Sequence, residues 1–164
     1  MNDSARSQLD ACSDLFLISY EEAPEEMDLT LKVAEARTQW DVEVDKTGDE
    51  VLDIAFRGAH PVLTKAGYSE FTIIFEDYIC FAVSKETYVE PEPDEDYGKK
   101  LRYYEKSKFL DYIRNATWAT NEFPGLILHY AVTCNRHIVN VACMREPVVL
   151  RRVITADEIK GSLR

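Results

Sequence analysis

The chain has 164 residues, 46% of them hydrophobic and 30% charged. That length suits one domain with a sizeable core and leaves no room for a second of full size, and the balance excludes full disorder, a collagen-like repeat and a coiled coil as the main architecture. The formal charge of −11 is unevenly spread: residues 1–98 hold 7 basic and 24 acidic side chains, whereas residues 99–164 hold 12 basic and 6 acidic. Nucleic acids are bound by neutralising their phosphates with Lys and Arg, so the first part is a poor nucleic-acid surface and suits a basic partner instead.

In chain order, Ser4 to Ser13 predicts a short polar-faced helix, and Leu15 to Tyr20 a strand, being too short and too β-prone for anything else. Glu21 to Glu26, with Pro24, reads as an acidic turn. Met27, Leu29, Leu31 and Val33 then alternate with more polar or smaller residues, the period of a half-buried strand that completes an antiparallel hairpin. After the weakly patterned stretch Ala36 to Glu50, Val51 to Phe56 reads as another strand, closed off by Gly58, Pro61 and Gly67. Phe71 to Ile74 and Tyr78 to Val83 are β-rich runs around Glu76 and Asp77, either a hairpin or one bent, bulged strand.

Leu101 to Tyr104 predicts a short strand, and Ser107 the N-cap of a helix whose apolar face carries Phe109, Leu110, Ile113, Ala116 and Trp118. Pro124 and Gly125 stop it. Leu126 to Thr133 and His137 to Cys143, joined by Cys134, Asn135 and Arg136, form the clearest hairpin, with Thr133 set opposite His137. Val148 to Leu150 adds a strand, and Asp157 to Leu163 ends the chain as a helix or tail. The order gives one α+β domain over residues 1–164: a twisted antiparallel sheet with one main helix between strands and short terminal helices.

The four cysteines, Cys12, Cys80, Cys134 and Cys143, are sparse, no signal segment opens the chain, and no apolar run approaches the ~20 residues of a membrane helix. The expectation is a cytoplasmic protein with reduced thiols that contacts neither membrane nor nucleic acid. The assumed register makes His129 and Cys143 diagonal neighbours, and with His137 they supply zinc-ligand chemistry. Their spacing lacks the close CxxC or HExxH arrangement, so they read as packed sheet residues, and no metal, cofactor or catalytic residue is assigned. The alternative is a small enzyme or ligand-binding protein using this hairpin, with Tyr130 or Arg136 at the sheet end.

Residues 90–98 form the most interpretable surface. Glu90, Glu92, Asp94, Glu95 and Asp96 repel one another unless they face water or cations, and Tyr88, Tyr97, Tyr103 and Tyr104 offer aromatic anchors in an acidic rim. The five carboxylates with Tyr88 and Tyr97 are the seven candidate partner-binding residues. Lys99 and Lys100 offer the competing possibility of ion pairs closed within the chain.

The segment from Leu101 to Ile113, with Ser107-Lys108-Phe109-Leu110, and the run His129-Tyr130 to Cys134 to His137-Ile138-Val139-Asn140-Val141 resemble a poorly characterised group of small acidic bacterial proteins. The likeness covers Phe71 to Pro147, and this chain carries Asn140 where the group more typically has an acidic residue. Such proteins resemble toxin-immunity proteins, which implies a non-enzymatic binding protein that occludes a cationic toxin or nuclease. A third reading is a structural subunit that buries the Phe109 to Trp118 helix face in a homodimer.

Overall fold

The computed structural model describes residues 2–23 and 25–161. It shows an α+β fold with antiparallel strands divided between two sheets. Alternation builds the first: β1 (Asp14–Ala23) pairs along β2 (Asp28–Thr38), which pairs with β4 (Ser69–Phe75), which pairs with β9 (Val148–Val153). The short β3 (Val62–Leu63) adds to the far end of β2. The second sheet runs β5 (Tyr78–Lys85), β8 (His137–Cys143), β7 (Leu128–Cys134) and β6 (Leu101–Tyr104).

One apolar cluster joins the two sheets. Leu29, Leu31, Val33, Phe71, Ile73 and Phe75 from the first meet Leu101, Tyr130, Val132, Val139, Val141 and Cys143 from the second, and Leu9 of α1 (Asn2–Asp10) closes the cluster. Burying a side chain of the Phe or Leu class stabilises by roughly 1.5–3 kcal/mol, so this interface dominates folding. The outer face of the second sheet carries a smaller cluster, in which Leu110 and Ile113 of α3 (Lys108–Ala116) pack with Ile127 and Ala142. The order is therefore sheet, sheet, helix.

The β1–β2 hairpin and its acidic connection form as expected, although Glu21 to Ala23 belong to β1 and Pro24 lies outside the described residues. Neither expectation for Phe71 to Val83 describes the chain: β4 and β5 are not paired with each other, and the turn at Glu76 and Asp77 carries the backbone from one sheet into the other. Val51 to Phe56 is not a strand. The segment forms α2 (Glu50–Ala55), because Asp49 accepts hydrogen bonds from the amides of Val51 and Leu52 at 2.9 and 3.2 Å, an N-cap that outweighs local β preference.

Ser107 caps α3 as expected, accepting from the Leu110 amide at 3.0 Å. The helix stops at Ala116, however, and the extended backbone of Thr117 turns Trp118 outward to 94% exposure. The closing hairpin also departs by one residue: Cys134, not Thr133, faces His137, so only Asn135 and Arg136 form the turn. A slip of one exchanges faces. His129 therefore lies on the outer face with Asn140 and Ala142, while Cys143 points into the core between the sheets.

The last helix, α4 (Ala156–Gly161), overlaps the expected tail, whose Ser162 and Leu163 lie outside the described residues. Among the described residues no helix is long and apolar enough to cross a membrane. Replacing the fully buried Phe71 with Ala lowers unfolding free energy by about 3–5 kcal/mol, whereas Trp118→Ala changes it by less than about 0.5 kcal/mol. Urea denaturation of the two variants checks this pair of values.

Candidate functional site

Along β6, Leu101 enters the core between the sheets, so alternation sends Arg102 and Tyr104 to the outer face of the second sheet. Ser84, Thr133, Ile138 and Asn140 share that face. Helix α3 covers one part of it, and the segment from Val89 to Tyr97 folds back over another. Between them lies a half-open cleft of about 490 Å³, with Phe109 and Tyr112 of α3 as its third wall.

The acidic loop is thereby tied to the body of the protein. Glu95 is nearly buried and accepts hydrogen bonds from the Arg102 guanidinium and from the Tyr104 hydroxyl, while its second oxygen accepts from the Glu92 amide at 2.9 Å. Burial pushes the Glu95 carboxyl up, but Tyr104, the Glu92 amide and Arg102 together outweigh that and hold it below the usual carboxylate range. Burial, reinforced by Glu95, pushes the Tyr104 hydroxyl up, so it stays a donor. Arg102 also stacks over the Tyr97 ring at 5.2 Å.

Glu92 accepts from the Lys108 amide at 2.9 Å, a second anchor on the start of α3, and Glu90 pairs with the Lys108 ammonium at 2.7 Å. That ammonium holds the Glu90 carboxyl below its ordinary range. Asp96 turns to Lys99 at 3.4 Å, the ion pair that the sequence offered as a competing possibility. The seven candidate residues thus separate. Glu90, Glu92, Glu95 and Tyr97 line the cleft, Asp96 braces the loop, and Asp94 and Tyr88 are exposed.

Behind the cleft, His129 is 1% exposed between the rings of Tyr104 and Phe109, with centroids 4.8 and 5.0 Å away. Asn140 Oδ1 can only accept, so His129 Nε2 carries the proton and donates to it at 3.0 Å, leaving Nδ1 to accept from the Ser107 hydroxyl at 2.8 Å. Burial drives the imidazole down to about 4 despite the favourable contacts with Asn140 and Glu95. Both ring nitrogens are engaged in fastening β7, β8 and α3. Cys134 and Cys143 sit on the core side, where burial pushes their thiols up to about 12 and about 11. The structure does not bring His129 and Cys143 together, and among the described residues no three His, Cys, Asp or Glu side chains converge as metal ligands.

Sequence reasoning missed Arg102, Tyr112 and Asn140 as walls of this site, whereas Tyr104, expected as an aromatic anchor beside the acidic loop, lines it. The period of two in β6 was the available signal for Arg102, and the correct hairpin register for Asn140. No family model, curated protein or solved structure matches the chain.

Two outcomes test the site. Unfolded His129 takes up a proton near pH 6.5 and the folded residue only near 4, so its stabilisation is complete above pH 6.5 and is lost as pH falls through that window. Unfolding free energy therefore drops by about 2 kcal/mol between pH 7 and pH 5, a slope that His129→Gln removes. Arg102→Ala leaves Glu95 buried without its cation and costs about 3 kcal/mol at pH 7, read by the same denaturation measurement.

Proposed function

We propose that this is a non-enzymatic binding protein that captures a basic protein, in the manner of an immunity or inhibitor protein occluding a cationic toxin or nuclease. One observation carries the reading: four carboxylates, Glu86, Glu90, Glu92 and Glu95, face two cations, Arg102 and Lys108, around a half-open cleft walled by Tyr97, Tyr104, Phe109 and Tyr112. An excess of carboxylate beside aromatic faces suits a guanidinium or ammonium on an apolar stem, which is the side chain of Arg or Lys.

The mechanism is occlusion. A basic side chain that a toxin or nuclease uses on phosphate enters the cleft, trades water for Glu86 and Glu90 at the rim, and lays its stem against the rings. Most loop carboxylates already have partners within the chain, so short-range fit rather than a bare acidic field does the selecting. Catalysis has less support than binding here, because the hydrogen-bonding capacity of His129 is spent on Ser107 and Asn140. The reading places the protein in the cytoplasm with its four cysteines as free thiols.

Titration with a short Arg- and Lys-containing peptide, followed by NMR, should shift Thr133, Ile138, Asn140 and Tyr112. Affinity should fall roughly tenfold from 50 to 300 mM salt and about fivefold in Glu90→Gln. Equal shifts from a peptide carrying citrulline and acetyl-lysine in place of Arg and Lys would refute the proposal.

A further inference from the structure

Between β2 and β3 the chain leaves the first sheet and returns, and residues 39–61 hold their shape without a core. The Gln39 amide donates to the Pro61 carbonyl at 2.8 Å, Val44 to Ala59 at 3.3 Å, and the Trp40 and His60 rings meet at 5.2 Å. Thr47 donates to Asp53 through both its amide and its hydroxyl, at 2.7 and 2.8 Å, and Asp49 caps α2. Yet α2 buries none of its residues. Trp40 is 77% exposed, Val51 76% and Ile54 58%, with Leu52 and Phe56 also in water, and Val44, Ile54 and Phe56 line an open hollow of about 460 Å³.

A six-residue helix is held in most proteins by the apolar face it buries, and this one has no such cover among the described residues. Its frame is acidic. Residues 39–61 contain Asp41, Glu43, Asp45, Asp49, Glu50 and Asp53 against Lys46 and Arg57, and none of these charges makes an ion pair among the described residues. The loop at 90–98 differs in this respect, since Lys99, Arg102 and Lys108 neutralise it locally.

We infer that the excursion at 39–61 is a docking surface for a protein face with an apolar centre and a rim of Lys and Arg. Exposed Trp40, Val51, Ile54 and Phe56 supply the anchors, and the unpaired carboxylates around them select a partner of opposite sign. A second copy of this chain fits poorly, because a two-fold interface through the patch would press its excess of carboxylates against itself. An anionic lipid surface would be repelled in the same way. The inference shares with the cleft only the sign of the partner's charge.

The test uses Trp118→Phe as background, which leaves Trp40 the single tryptophan. The probes are two synthetic amphipathic helices with a leucine face, one with lysines opposite and one with glutamates. The lysine helix should shift Trp40 emission to the blue and saturate, with affinity falling at least roughly tenfold from 50 to 300 mM salt. Val51→Asp with Ile54→Asp should weaken it at least about tenfold more, whereas Glu90→Gln should leave it unchanged. Both positions are exposed, and circular dichroism confirms that the double variant folds. Equal binding of the glutamate helix, or no effect of the double variant, overturns the inference. So does a dimer in sedimentation that the double variant dissolves, since the occupant is then a second copy. Failure of the cleft is read separately, from the Thr133, Ile138 and Asn140 resonances, and leaves the Trp40 measurement untouched.

Discussion

The second sheet is covered on both faces, and each cover has a different chemistry. Its inner face is dry, filled by the branched and aromatic side chains of the first sheet, and this burial supplies most of the stabilisation. Its outer face is covered in part by α3 and in part by a loop too polar to make a core. Cleft, buried imidazole and loop anchor all exist because that outer face is neither fully packed nor left to solvent.

Charge compensation follows from this geometry. Glu95 can leave water only because Arg102 and Tyr104, two residues apart on one strand, present a cation and a hydroxyl on the same side. Glu90 and Glu92 remain nearer solvent and use the ammonium and the amide of Lys108. A sequence that looks like an undifferentiated run of carboxylates thus folds into one buried anchor, one contact with a helix amide and two exposed ion pairs.

Much of the fold was legible because it rests on local signals. The alternation in β2, the Ser107 cap and the two β-rich runs around Asn135 and Arg136 each specify their element. What was hidden needed tertiary information. The hairpin register depends on whether Cys134 belongs to the turn or the strand, and that single residue decides which face His129 occupies. Val51 to Phe56 has strand-like composition, but Asp49 satisfies two amides and no strand among the described residues pairs with it, so a helix forms. Of the site, the tyrosines and carboxylates were visible as a cluster, whereas their division into lining, bracing and exposed residues required the outer face of the sheet to be known.

The start of α3 is held at two places. Ser107 fastens it to His129 in the sheet, and Glu92 fastens it to the loop. The helix and the loop therefore belong to one cooperative unit in local opening: amide exchange of the α3 backbone cannot be faster than loop release allows, and anything that steadies residues 89–97 slows exchange along the helix as well. Occupancy of the surface cleft would be legible in the protection of Leu110 and Ile113, two buried residues of the helix that do not line it.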